Sequence, residues 1–300
     1  MINIVGNRRL FFIITCIVIL VSAVSLATFG LRAGVEFSSG SALTVNFVEE
    51  VTQGDLEEEI VNLGYNGAIV QRFTQGGGYL LRLPRLSAAE KDELQEGLAT
   101  RFGALDGETA FEKDVDPIIA AETTQNAAIA VAVAAVGILL YIAWAFRRMP
   151  NPFRYGACAI IALLHDTLVA LGVFSILSST MGWEIDLSFV IGILAVIGYS
   201  VNNTVVVFDR LRENLMKEGR LDFETVVNSS LVETLSRSLN TSLTTLFVVL
   251  ALLLFVGGSI QNFAVVLLIG IVAGTYSSLC IAPALLVVWR NWERRRAAAQ

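Results

Sequence analysis

The sequence predicts a polytopic α-helical membrane protein, with six transmembrane helices and one small βαββαβ domain between the first and second spans. Three observations carry that expectation. Of 300 residues, 55% are apolar and the mean hydropathy is +0.67, and apolar runs of ~18 residues or more, the length that crosses a bilayer, recur along the chain. Basic residues gather at every second boundary between those runs. Residues 31–124 hold 7 Lys/Arg and 17 Asp/Glu, net −10, against +4 for the remainder, and this acidic stretch reads as alternating strands and capped helices.

The spans fall near 10–29, 127–146, 156–178, 187–208, 239–257 and 262–289. The fifth is the weakest, since only 243–256 is purely apolar, two threonines aside. The basic clusters are Arg8/Arg9, Arg147/Arg148/Arg154, Arg210/Arg212/Lys217/Arg220/Arg237 and Arg290/Arg294/Arg295/Arg296, the last opening a basic tail at 291–300. By the positive-inside rule both termini are cytoplasmic and 31–124 lies outside; a loop that long crosses regardless of its charge, so the orientation rests on the short segments. Ser25-Leu-Ala27 could pass for a signal-peptidase site, but the apolar run behind Arg8/Arg9 is longer than a usual signal core and reads as an uncleaved anchor. Cys16, Cys158 and Cys280 each sit inside a span without CxxC spacing. They read as small core hydrophobes, and no disulfide, metal or cofactor is expected.

In the acidic segment, 42–48 alternates as a strand. Thr52-Gln-Gly-Asp55 opens a helix over 56–63, 67–74 reads as a second strand, and Gly76-Gly-Gly78 turns into its hairpin partner at 79–86. Ser87-Ala-Ala-Glu90 is a capping box before a helix to Phe102, and 109–119 supplies the last strand. That order is the ferredoxin-like arrangement, a four-stranded antiparallel sheet with two helices on one face and the other face left available. With no His, Cys or paired-carboxylate cluster, binding or mechanical coupling is its expected work. Between the fourth and fifth spans, Phe223, Val226/Val227, Leu231, Leu235 and Leu239 fall at helical spacing. This segment near 221–239 is either an amphipathic helix on the cytoplasmic surface or a helical lead-in to the fifth span.

The spans also carry polar residues at depth. Asn202 and Asn203 are adjacent amides inside a membrane-length run, and an unpaired amide in hydrocarbon is costly, so they should face a bundle interior or a water path. Tyr199 shares a helix face with Asn203, which lies ~24 Å along the axis from a start near Leu187. Arg237, Thr241 and Thr244/Thr245 form a stripe on the fifth span. Arg237, ~30 Å from Gly257, can reach inward to the Asn203 level or serve only as an interfacial anchor. His165-Asp166 lies near the bilayer centre, where a carboxylate must be protonated, paired or wet. His165, the only histidine, has the pKa for proton exchange, while the bland reading is that the pair only bonds neighbouring helices. Glu184 and Asp186 read as solvated residues of a short external loop. Gly270-Ile-Val-Ala-Gly274-Thr-Tyr-Ser-Ser278 supplies small residues for close helix packing.

The run Gly198-Tyr-Ser-Val-Asn-Asn-Thr-Val-Val-Val-Phe-Asp209-Arg210-Leu-Arg-Glu-Asn214 resembles the fourth-span motif of SecF, the smaller of two related subunits that assist the bacterial Sec export channel. Three further runs match in order. Gly34-Val-Glu36-Phe37-Ser-Ser-Gly40 resembles Gly-(Ile/Val)-Asp-Phe-x-Gly-Gly, with Glu36 for Asp and Ser39 for Gly. Thr234-Leu-Ser-Arg237-Ser resembles Thr-Leu-x-Arg-(Ser/Thr), and the Gly270 segment resembles Leu-Ile-Gly-Ile-x-x-Gly-Thr-Tyr-Ser-Ser. The resemblance implies one half of a resistance-nodulation-division architecture, with SecD as the other half, the SecYEG channel, YajC, exported unfolded polypeptide and the lipid bilayer as partners, and no nucleic acid. It implies residence in the bacterial plasma membrane, and proton flow through the intramembrane polar layer driving late translocation. Arg237 would work there with a fourth-span Asp, and Asn203 stands where the family carries that Asp. Asn packs like Asp but cannot ionise. An engineered variant, a titrating Asp in the SecD half, or a relay moved to Asp166 would each account for it.

Two rivals remain open: half of an efflux transporter of the same superfamily, and a structural assembly subunit with no relay of its own. Efflux would need a larger second external segment than 178–186. No nucleophile–base pair or metal-ligand spacing points to an enzyme.

Overall fold

The computed structural model describes residues 3–72, 78–103, 105, 110–147, 151–217, 221–255 and 260–298. After a 3₁₀ turn at Val5–Asn7 comes helix α1 (Arg8–Phe29). The sheet domain follows with α2 (Val35–Ser38), β1 (Gly40–Val45), α3 (Gln53–Asn62), β2 (Ile69–Arg72), β3 (Tyr79–Leu83), α4 (Ala88–Phe102) and β4 (Ala110–Val115). Then come α5 (Pro117–Phe146), α6 (Pro152–Met181), α7 (Leu187–Lys217) and α8 (Phe223–Phe255). A last column comprises α9 (Gln261–Tyr276), a widened turn at Ser277–Ile281, and α10 (Ala282–Ala298). Six helical columns among the described residues are long and apolar enough to cross a membrane.

The sheet has strand order β2-β3-β1-β4, every neighbour antiparallel. Leu43 and Val45 of β1 and Leu81 and Leu83 of β3 turn to one face, where they bury Leu56 and Ile60 of α3 and Leu94 and Leu98 of α4. Thr52 accepts from the Asp55 N–H at 3.2 Å, and the Ser87–Glu90 capping box is complete, with Glu90 accepting from the Ser87 N–H at 2.7 Å. The expected turn at residues 76–77 lies outside the described residues.

Of the boundaries that differ from expectation, two have a cause in the local sequence and packing. The strand predicted over 109–119 stops at Val115 because Pro117 takes the first position of α5, where its missing N–H costs nothing, and Asp116 caps it by accepting from the Ile118 N–H at 3.0 Å. The second is at 221–239, where the residues from Phe223 onward form the continuous first half of α8. Phe223, Val226, Val227 and Leu231 are buried in one core with Val207, Phe208 and Leu211 of α7 and Leu286 and Val287 of α10. That apolar face is spent on protein, so the membrane-surface reading gives way to the lead-in.

The columns meet through small residues. A Cβ on Gly172 of α6 would collide with Ser22 of α1, and Ser25 donates to the Gly172 carbonyl at 3.0 Å. Gly270 of α9 likewise sits against Val196 of α7, the close approach the glycine-bearing motif predicts. The widened turn has a cause in Pro283: a proline ring presses on the carbonyl four residues back, and the helix relaxes so that the Ala282 N–H bonds Ser277 O, five residues behind.

Candidate functional site: a buried polar layer and an ion cluster at the sheet junction

Asp166 of α6 is fully buried, and three side chains converge on it, two of them from other elements. Ser200 of α7 donates to its Oδ2 at 2.5 Å, Ser277 of the widened turn donates to the same oxygen at 2.6 Å, and His165 Nδ1 lies 2.9 Å from Oδ1. Pro283 thus acts at a distance, because the turn it widens is the one that presents Ser277. His165 is 5% exposed, its Nε2 has no partner among the described residues, and its ring centroid lies 6.2 Å from that of Tyr276. Tyr276 in turn donates to the Phe11 carbonyl of α1 at 2.9 Å and sits 3.1 Å from Thr15 Oγ1. A second chain of hydroxyls crosses the bundle beside it: Tyr199 donates to Ser242 of α8 at 2.9 Å, and Ser242 lies 2.6 Å from Thr275 of α9.

The two adjacent amides separate. Asn203 is 3% exposed and its Nδ2 has no partner among the described residues, whereas Asn202 is exposed. The Tyr199–Ser242 and Asn214–Ser230 bonds (3.0 Å for the latter) set the antiparallel register of α7 and α8, which brings Asn203 to the level of Ser238. Ser238 Oγ and Thr204 Oγ1 are likewise buried without a partner among the described residues.

Of the two readings of Arg237, the inward reach to the Asn203 level is not seen among the described contacts. Arg237 is exposed, as are Thr241 and Thr244, and the hydroxyls of Thr241, Thr244 and Thr245 bond back to carbonyls of their own helix at 2.8–2.9 Å. The inward stripe is Thr234, Ser238 and Ser242, four residues apart and each under 7% exposed. Both stripes recur at helical spacing and both carry small hydroxyls, so the pattern along α8 does not say which one faces inward. Gly198 has open space around its Cα. Asp209 is exposed, and Arg210 ties α7 to α8 by donating to Glu233 at 2.5 Å, which also accepts from Asn214 at 2.9 Å.

The other cluster lies where the sheet meets the bundle, and it corrects the reading of Glu184 and Asp186 as solvated. Ile69, Arg82, Ala42 and Lys113 stand opposite one another across the strands, on the face away from α3 and α4. Arg82 pairs with Glu184, which is 1% exposed, and Lys113 donates to Glu36 Oε1 at 2.5 Å. The other Glu36 oxygen accepts from the Leu187 N–H, the start of α7, at 2.5 Å. Asp186 accepts from the Phe189 N–H at 2.7 Å and from Asn262 of α9 at 3.0 Å. Gly34 donates to the Ile185 carbonyl at 2.8 Å and could carry no Cβ there without striking that carbonyl and Arg82. Phe37 is half-buried in the single turn of α2, which the sequence reading did not foresee, and Gly40 takes φ 132° just beyond it. Burial raises the Asp186 carboxyl above its ordinary value against the pull of the Phe189 and Asn262 bonds. Burial also lowers Arg82, opposed by the charges of Asp186 and Glu36. The sheet face that the sequence reading left available is in part occupied by this junction.

Comparison with known proteins follows the same lines. The family described as Protein export membrane protein SecD/SecF, C-terminal, matches residues 97–292. A protein translocase subunit SecF from Thermobaculum terrenum is 44% identical over 302 residues, covering 97% of this chain and 95% of that protein. A protein translocase subunit SecDF from Bacillus subtilis is 33% identical over 298 residues, covering 98% of this chain and 39% of that one. Among solved structures, SecDF from Thermus thermophilus, described as a translocon-associated membrane protein, superposes with TM-score 0.85 at 32% identity, over 97% of this chain. This chain spans 39% of that one. With matches reaching from the sheet domain through the last column, the chain belongs to the SecD/SecF family of protein export membrane proteins.

Proposed function

We propose that this chain is an auxiliary subunit of the bacterial Sec export machinery, working beside a SecD half to promote proton-gradient-driven late translocation. One observation supports the reading above others: α7 links the two clusters. Its first N–H is held by Glu36 of the sheet domain, and Ser200, three turns or so further on, is bonded to Asp166. A change of protonation at Asp166 would remake the Ser200 and Ser277 bonds and shift α7 against α9, and the Glu36 cap would carry that shift to the sheet. In this reading Asp166 and His165 are the proton-bearing pair, Asn203 is a packing residue, and the ferredoxin-like domain stands outside the membrane and both termini inside.

The partner half is supported by what α8 and α7 leave uncovered. Arg237, Asn240, Thr241, Thr244 and Asn202 are exposed on membrane-length helices. A guanidinium and a row of amides and hydroxyls are poorly solvated by lipid tails, and a second six-helix half would cover them. The SecDF relatives, in which a matching segment makes up 39% of one longer chain, support the same pairing. SecYEG, YajC and the exported chain enter on family resemblance alone. Affinity purification from native membranes tests the reading: co-purifying SecD and SecY support export, an adaptor of the cell envelope supports efflux instead, and neither leaves the structural-subunit reading.

A further inference from the structure

At the end of the bundle that carries both termini, a cleft of about 390 Å³ opens between the first turns of α1 and the last turns of α10. Its wall is Phe12, Val288 and Trp292, and its rim is Arg8, Arg9 and Arg295 with Asn291 beside them. The acids nearby are taken: Glu224 pairs with Arg8, Asp222 with Arg294 at 3.5 Å, and Glu293 with Arg154. Arg9 and Arg295 are exposed and have no ion-pair partner among the described residues.

The helix dipole favours a cation at the end of α10 but disfavours Arg9 in the first turn of α1, where the backbone N–H groups already present partial positive charge. Arg9, Arg295 and that helix start therefore add their fields over one cleft, and an anion is what relieves them. The wall selects among anions. On α1 the face that carries Phe12 runs on through Cys16, exposed, and Ile19, half-buried, with Val288 of α10 beside Phe12, so the ligand has an apolar body lying along the helices and a charged head at their ends. We infer that this cleft binds an anionic phospholipid, its phosphodiester on the Arg9 and Arg295 guanidiniums with Arg8 and Asn291 at the side, and its acyl chain along Phe12 and Val288. Trp292 sits at the head–tail boundary, where an indole is at home. The site goes beyond the export reading and holds whether or not the chain moves protons.

The test uses the full chain, stripped of lipid in a neutral detergent and titrated with phosphatidylglycerol or phosphatidylcholine of matched acyl chains, with bound lipid counted by native mass spectrometry. Phosphatidylglycerol should bind at least about tenfold more tightly than phosphatidylcholine. Arg9→Gln with Arg295→Gln should remove that preference and leave phosphatidylcholine unchanged. Arg9→Lys with Arg295→Lys should keep part of it, and Arg147→Gln, at the same end of the bundle but outside the cleft, should keep all of it. Equal phosphatidylglycerol binding by the wild type and the double Gln variant overturns the site. Displacement by millimolar inorganic phosphate also overturns it as a lipid site, leaving a free-phosphate site.

Discussion

Glu36 accepts the backbone N–H of Leu187 at 2.5 Å, so a carboxylate of the sheet domain caps the helix that carries Ser200 and Asn203. The same side chain holds Lys113 of β4, and the link runs from the sheet through one residue to the bundle core. Glu36→Ala would uncap the Leu187 N–H at the start of α7 and release the half-exposed Lys113 ammonium, the loss of a helix cap costing about 0.5–2 kcal/mol. A thermal melt of the full chain in detergent should show the loss, and Glu36→Asp, the residue the family resemblance expects, should recover part of it. A melt of the Ala variant superimposable on the wild type would remove Glu36 as a tether.

Asp186, in the same junction, sets a pH dependence. Its carboxyl is raised by burial and by the Glu36 charge, against Lys113 and the Phe189 and Asn262 bonds. A group raised on folding contributes stability that is fully present below its ordinary carboxylate range and lost as pH rises through the raised value. Asp186→Asn should flatten that part of the stability profile between acidic and neutral pH. An unchanged profile would assign the dependence to other groups.

Ser39 stands at φ 65°, ψ 163°, a region that glycine occupies freely and serine does not. Ser39→Gly should therefore stabilise the chain by about 1 kcal/mol. Chemical denaturation measures it, and a Gly variant no more stable than the wild type would show that the turn is not strained.

How far the sequence could be read depended on whether the signal was local. The helical columns, the Thr52 and Ser87 caps and the small-residue contacts at Gly270 follow from spacing and residue type within a few turns. Pro117 was legible as well, since Asp-Pro is a helix start, but the alternating residues before it drew the strand too far. The Arg82–Glu184 pair could not be read, because nothing near either residue says that β3 docks on the loop before α7. The choice between the Arg237 and Ser238 stripes of α8 was closed to the sequence for a related reason: both have helical period, and which one faces inward is decided by α7 and α9.

Cysteine labelling in a cysteine-free background checks the orientation. Residues introduced within 87–103 should react with an impermeant reagent from outside intact cells, and residues beside Lys217 and Arg295 should react only after permeabilisation. Labelling beside Lys217 in intact cells would invert the assignment.

The sharpest prediction sets Asp166 against Asn203. Asp166 is held by two serine hydroxyls and by His165, all of which can follow a proton on or off the carboxylate, whereas Asn203 faces the level of Ser238 with no cation among its described contacts. An aspartate introduced at 203 would be buried without a compensating charge from this chain, and a buried carboxylate without a partner is costly in its charged form. In vesicles that respond to a proton gradient, Asp166→Asn should reduce gradient-dependent export to the level of vesicles lacking the chain, and Asn203→Asp should add little. Arg237→Ala should leave the folded monomer intact, because its side chain has no partner among the described residues, and weaken only the association with the second half. Full export by Asp166→Asn together with a gain from Asn203→Asp would move the relay to α7, with Arg237 of α8 then reached through a rearrangement this form does not show. Full export by Asp166→Asn with no gain from Asn203→Asp would place the titrating group in the partner half.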